Sequence, residues 1–303
     1  MNDQQQGWAI VVHGGAGARP EYQDGCERAA VRARERLRQG GEALDSAISA
    51  VVALEDDGRF NAGSGAVLAL DGATIEMDAS VMDTHGRLGS VACARNVKNP
   101  VLLARSVADT PHCMLAGEGC ERLARALGLS AHPGPGARQL EDHRKMLQAL
   151  SGAMPAMPGV GNREFARFWN YNTPLDVPAG AACDTVGAVV RDSEGHFGVA
   201  GSTGGSAPSL LGRVGDTPIV GAGFYAGPAG AVAATGIGEQ IIRHLLARTV
   251  YQWLADGVPL QQALQRGVDL VDRKFALGLI AVSRLEAGSC SNRPMPHAAM
   301  SER

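Results

Sequence analysis

The sequence predicts an α+β protein in which helical layers cover packed, mostly antiparallel sheets. Two observations carry this expectation. Short apolar runs recur beside Asp71-Gly72 and Ser193-Glu194-Gly195, the composition of hairpin turns rather than crossovers. Helix-period stretches come in groups instead of alternating regularly with strands, which argues against a βαβ array. Glycine is also abundant, at 40 of 303 residues, about twice the usual ~7%. Tight turns and close backbone approach follow from that.

In chain order, Ala9 to Val12 reads as a buried strand ending in the turn His13-Gly14-Gly15. Cys26 to Leu37 and Ala43 to Leu54 read as helices broken by Gly40-Gly41; the second carries Leu44, Ile48, Val51 and Val52 at helical spacing. Ala66 to Leu70 and Thr74 to Ala79 are expected to pair as a hairpin about Asp71-Gly72. Pro100 to Ala108 and Gly117 to Leu129 should be helices. At His132-Pro133-Gly134-Pro135-Gly136 the chain breaks, a short helix follows through Leu150, and residues 151–184 have the Gly, Pro, Met and Asn content of a linker. Order then resumes. Thr185 to Arg191 and His196 to Ala200 form a second expected hairpin, and Pro218 to Gly221 and Ala231 to Thr235 two further strands. Gly238 to Leu254 should be one long amphipathic helix, Leu260 to Val271 another, and Leu277 to Val282 the last buried strand.

With 45% hydrophobic and 19% charged residues the chain can bury a sizeable core. A net charge of −3 gives no basic surface for nucleic acid or anionic lipid, so neither a nucleic acid nor a membrane is expected as partner. A small molecule or dipeptide is. The apolar run Trp8 to Val12 is too short for a signal h-region, and the expected location is cytoplasmic. Six cysteines without a CxxC pair suggest neither a disulfide framework nor a zinc site.

Chemistry concentrates in Cys183-Asp184-Thr185-Val186-Gly187, followed eighteen residues after Thr185 by Ser202-Thr203-Gly204-Gly205. A threonine hydroxyl needs an adjacent base to attack, and the α-amino group of the same residue supplies one when that threonine is N-terminal. Thr185 directly follows the linker, where a cut would free its amine; equally, it is a β-branched residue at the start of a strand. Arg213 and Asp216, three apart, read alone as an ion pair. Thr235-Gly236-Ile237-Gly238-Glu239, before a helix, reads as an anion-binding N-terminus.

Taken together, HGGAGA (13–18), FNAGSGAVL (60–68), DTVGAV (184–189), STGG (202–205), GRVGDTPIVGAGFYA (212–226) and ATGIGE (234–239) resemble the isoaspartyl peptidase/L-asparaginase group of N-terminal-nucleophile hydrolases, relatives of the glycosylasparaginases. The likeness runs from about residue 8 to 285. It implies an αββα sandwich: one domain over 1–303, cut autocatalytically into an α subunit 1–184 and a β subunit 185–303, two such pairs forming a dimer. Carried over by position, Thr185 becomes the nucleophile and Thr203 the threonine that assists it. Thr235 and Gly236 become the oxyanion site. Arg213 would hold the substrate's α-carboxylate through its planar fork of donors, and Asp216 its α-ammonium. Gly238 lines that pocket, and Asn61 lies near the nucleophile. The resemblance requires no cofactor for catalysis. It further implies a structural sodium ion on the main-chain carbonyls of Leu54, Glu55, Asp57, Phe60, Ala62 and Ser64, oxygen ligands that a hard cation prefers.

Asp184 departs from the glycine that many bacterial members carry before the nucleophile, and bears on self-cleavage, in which the Thr185 hydroxyl attacks the Asp184 carbonyl. Cys183 replaces the histidine usual in glycosylasparaginases. The expected function is therefore hydrolysis of β-aspartyl dipeptides and of the L-asparagine side chain. N4-(β-N-acetylglucosaminyl)-L-asparagine is the alternative substrate. An inactive scaffold and a nucleotide-binding module are more remote; for the latter, GAGFYAG lacks the Rossmann glycine spacing.

Overall fold

A computed structural model describes residues 7–149, 168, 170–172, 182–183 and 185–302. Most of the expected linker and Asp184 lie outside these residues.

Apolar runs bounded by glycine turns form the strands. Among the described residues a seven-stranded sheet has the order β13-β1-β6-β7-β2-β3-β4. These are β1 (Ala9–His13), β2 (Met77–Asp83), β3 (Leu88–Ala94), β4 (Met114–Ala116), β6 (Val186–Arg191), β7 (Phe197–Thr203) and β13 (His297–Ser301). A four-stranded sheet is ordered β12-β11-β10-β9, from β9 (Phe224–Gly227), β10 (Gly230–Gly236), β11 (Leu277–Ser283) and β12 (Ala287–Ser291). The short β5 (Ala182–Cys183) pairs with β8 (Ser206–Ala207). Neighbours are antiparallel except β3 and β4.

Strand residues point alternately to opposite faces, and here both faces are buried. On one side of the large sheet, Ala9, Val11, Val189, Phe197 and Val199 meet Phe224, Ala231, Ala233, Ile280 and Val282 of the small sheet. On the other side, Ile10, Val12, Ala188 and Val190 pack beneath α1 (Gln23–Arg38) and α2 (Ala43–Asp57), with α3 (Pro100–Val107) and α4 (Glu118–Ala126) extending the layer. α5 (Ala137–Ala149) follows on the same half of the chain. The outer face of the small sheet is covered by α6 (Gly238–His244), α7 (Leu246–Ala255) and α8 (Leu260–Asp269), through Ile241, Leu246, Val250 and Leu264. Each fully buried leucine, such as Leu44 or Leu246, contributes about 1.5–3 kcal/mol relative to exposure. Alanines let the helices come close. Gly198 lets β7 touch α2, because a Cβ there would stand 2.5 Å from the Leu44 nitrogen. No helix among the described residues is long and apolar enough to cross a membrane.

Three local expectations need correction. The hairpin at Asp71-Gly72 is only a turn: the Asp71 carboxylate binds Ala73 N, Thr74 N and Thr74 Oγ1, and pairing begins later, between β2 and β3. The expected helix from Gly238 to Leu254 breaks at Leu245, whose backbone is left-handed at φ +42°. Pro218 to Gly221 forms an isolated bridge, Val220 to Phe224, because Ile219 and Gly221 turn the chain back on itself. Leu277 to Val282 is a buried strand as expected, within β11; the more exposed β12 and β13 follow it, and β13 closes onto β1.

Candidate active site

Strand ends bring the threonines together. Thr185 immediately precedes β6 and Thr203 ends β7; the ladder that pairs Val186 with Ser202 carries on to set them side by side. The Thr185 hydroxyl donates to Thr203 Oγ1 at 3.4 Å, and Thr203 Oγ1 also accepts from Gly205 N at 3.1 Å. Both are buried.

Asn61 sits against the same turn. Its Nδ2 donates to Gly205 O at 2.8 Å, its Oδ1 accepts from Val67 N at 3.0 Å, and its carbonyl accepts from Gly204 N at 2.9 Å. These bonds occupy the amide in holding the 203–205 turn to the loop that follows Asn61.

Thr235 lies near the end of β10 in the small sheet and is fully buried. Its Oγ1 accepts from Ala16 N, in the glycine-rich turn after β1, at 3.3 Å. A hydroxyl that accepts there keeps its own proton to donate. Three residues on, Gly238 opens α6, and a Cβ at that position would lie 2.9 Å from both Arg213 Nη2 and Asp216 Oδ1. A cation and an anion thus flank the space that this glycine leaves. Arg213 binds Glu239 in a parallel fork, Nε and Nη2 each at 2.9 Å from a carboxylate oxygen.

Burial pushes the Asp216 carboxyl up to about 7, with Arg213 opposing the shift, and Asp216 Oδ2 has no partner among the described residues. Asp78, on β2 opposite Thr203, joins this cluster to the threonines: its carboxylate accepts from Cys93 N at 2.9 Å and Gly215 N at 3.4 Å, and burial raises it to about 6. His13, ending β1 opposite Gly187, is wholly buried and held down at about 3, chiefly by burial and by His297.

The structure therefore gathers Thr185, Thr203 and Asn61 in one contact set and Arg213, Asp216 and Gly238 in another, with Thr235 and Gly236 leading into the second. Asp78, Glu239 and His13 were not singled out from sequence. Asp78 was findable as a lone acid in the apolar run Met77 to Val81, and Glu239 as the acid closing the ATGIGE motif. His13 carried no signal beyond its place before two glycines. A groove of about 780 Å³ on the outer face of α1 and α2, lined by Arg28, Arg32, Arg36 and Arg105, contains none of the catalytic or substrate-binding candidates.

At the end of α2, the expected cation loop presents oxygens. No backbone N–H from beyond the helix, among the described residues, reaches the carbonyls of Leu54, Glu55 or Asp57. Phe60 O accepts from Ala62 N, Ala62 O from Gly65 N, and Ser64 O from Gln139 Nε2, leaving each a second lone pair. The carboxylates turn elsewhere, Asp57 to Arg28 and Arg59 and Glu55 to Asn99 and Val101. Main-chain carbonyls with a spare lone pair are oxygen ligands of the kind that hard cations take.

Residues 6–300 match the family described as Asparaginase. A protein named plant-type L-asparaginase from Pyrobaculum calidifontis is 40% identical over 286 residues, covering 90% of this chain and 89% of the relative. Proteins named isoaspartyl peptidase/L-asparaginase are 39% identical in Macaca fascicularis and 37% in Homo sapiens, each alignment covering 91% of this chain and 86% of the relative. With that match running through both threonines and the Arg213–Asp216 pair, the chain belongs to the asparaginase family.

Proposed function

We propose that this protein is an isoaspartyl peptidase/L-asparaginase that activates itself by cutting before Thr185, within an αββα sandwich of the N-terminal-nucleophile type. The observation that carries the reading is the space at Gly238, with Arg213 on one side and Asp216 on the other, two residues from the Thr235-Gly236 pair. A guanidinium and a carboxylate so placed suit an α-carboxylate and an α-ammonium, the two charges of a free aspartyl group.

Self-cleavage begins when the Thr185 hydroxyl attacks the Asp184 carbonyl. The acyl group moves from nitrogen to oxygen, water hydrolyses the ester, and the α-amino group of Thr185 is released. That amine then takes the hydroxyl proton as Thr185 Oγ attacks the β-carbonyl of the substrate. The Thr235 hydroxyl and the Gly236 N–H stabilise the oxyanion. Collapse expels an amino acid or ammonia, and water resolves the aspartyl ester. Thr203 orients the nucleophile through the contact already present in the uncut chain, and Asn61 braces the turn that carries Thr203. A sodium ion on the carbonyls of Leu54, Glu55, Asp57, Phe60, Ala62 and Ser64 would stiffen the loop entering Asn61; no other cofactor enters the chemistry. The active unit is a dimer of αβ pairs. Among relatives, the names isoaspartyl peptidase and L-asparaginase favour β-aspartyl dipeptides and asparagine, and no observation favours the glycosylated substrate.

A panel of β-aspartyl dipeptides, L-asparagine and N-acetylglucosaminyl-asparagine, given to the processed protein, tests the reading. Hydrolysis of the first two is expected. Hydrolysis of the glycosylated compound alone, or of none, contradicts it.

A further inference from the structure

Two residues on the N-terminal side of the cut, an exposed Asn170 and a buried Tyr171, bond to the turn that leads into Arg213. Tyr171 is 8% exposed, and its ring packs with Leu70 and Ala207 against Val67, Leu210 and Leu211. Its hydroxyl donates to Ser209 O at 2.6 Å. Asn170 uses both ends of its amide on one residue: Nδ2 donates to Leu211 O at 2.9 Å and Oδ1 accepts from Leu211 N at 3.1 Å. Side-chain pairing of this form imitates a bridge between strands and fixes the orientation of the backbone it grips.

What they grip matters. Leu210 O accepts from Arg213 N at 3.2 Å, so the 209–213 turn carries the guanidinium. In the same cluster around Tyr171, Val67 is held by Asn61. Tyr171 thus stands between the loop that braces the threonines and the loop that presents Arg213. Cleavage before Thr185 leaves Asn170 and Tyr171 on the α subunit, where they have no covalent reason to stay.

We propose that Asn170 and Tyr171 remain seated after cleavage as a strap at the end of the α subunit, and that they are positioning residues for the loop presenting Arg213. The α tail up to Asn172 is then part of the working enzyme rather than a spent linker. The proposal rests on the reading of Arg213 as the holder of the substrate's α-carboxylate. Loosening the strap lets the guanidinium wander, which weakens ground-state and transition-state binding alike and raises KM while leaving kcat nearly unchanged.

The test uses processed enzyme and three variants. Tyr171→Phe removes one hydroxyl and keeps the ring, Asn170→Ala removes the paired amide, and Arg213→Ala tests the underlying reading. On a β-aspartyl dipeptide, Asn170→Ala, which loses two solvent-exposed hydrogen bonds, and Tyr171→Phe, which loses one part-buried bond, are each expected to raise KM about threefold, with kcat per cleaved site within about twofold. Intact mass of the α subunit after limited proteolysis should show trimming that stops at or beyond Asn172. Wild-type KM in both strap variants overturns the proposal. So does a fully active enzyme whose α subunit ends before residue 168, or variants that self-cleave more slowly but show no KM change per cleaved site. If Arg213→Ala leaves KM unchanged, the reading of Arg213 fails instead.

Discussion

Lowering the pH from 8 to 6 should selectively weaken binding of ligands that carry an α-ammonium. Asp216 is 3% exposed and faces Arg213, Glu239 and Asp78; burial, with Arg213 opposing, leaves its carboxyl at about 7. Because that value is raised, the group is charged above pH 7 and takes up a proton as the pH falls through 7. The anion that would meet the ammonium is then lost. About nine-tenths of the sites are ionised at pH 8 and about one-tenth at pH 6, so affinity for an ammonium ligand falls roughly tenfold. The assay is competitive inhibition by L-aspartate and by succinate, which lacks the amine, measured at each pH. Taking the ratio of the two inhibition constants cancels the titration of the Thr185 amine, which both ligands feel. Asp216→Asn should flatten the ratio and weaken aspartate at pH 8 by about 10–100-fold, as for a lost charge-assisted pair. A ratio in the native protein that stays constant from pH 6 to 8 would refute the assignment of Asp216.

Gly238→Ala should raise KM roughly 10–100-fold with little change in kcat, since its methyl group would enter the space between Arg213 and Asp216; steady-state kinetics on a β-aspartyl dipeptide decides. Thr203→Val should slow turnover about 10–100-fold by removing the acceptor for the Thr185 hydroxyl, measured per cleaved site. Glu55, wholly buried, is raised to about 8 by burial, so the folded protein holds its proton more tightly than the unfolded chain. Stability should fall as pH rises from about 5 to 8, by on the order of a few kcal/mol, and Glu55→Gln should flatten that slope in denaturant titrations.

Helices with a full apolar stripe were legible because burial on one side dictates a 3.6-residue period: α1, α2 and α8 fall where the sequence placed them. The short and edge elements were not. β4, β9, β12 and β13 are stabilised by pairing with distant segments, such as His297 to Ser301 on β1, and local pattern contains no trace of the partner. Leu245 could not be read either, since a left-handed leucine runs against the residue's own preference and marks the break between α6 and α7. In the site, the threonines, Asn61 and the Arg213–Asp216 pair were legible through motifs. The supporting acids were less so: Asp78 matters because β2 runs beside β7, and Glu239 because a helix N-terminus meets the 213–216 turn. Asn170 and Tyr171 sit in a segment whose composition reads as linker, and only their three-dimensional contacts distinguish them from it.

In the proposed mechanism Thr185 is dormant in the intact chain and becomes the nucleophile on release of its amine. N-terminal sequencing of the smaller fragment from purified protein, resolved by denaturing electrophoresis, decides it. A fragment beginning at Thr185, appearing in step with β-aspartyl hydrolysis, is expected, and a single inactive chain for Thr185→Ala. A chain that hydrolyses β-aspartyl dipeptides while uncut, or a Thr185→Ala protein that cuts itself at the same bond, would contradict it.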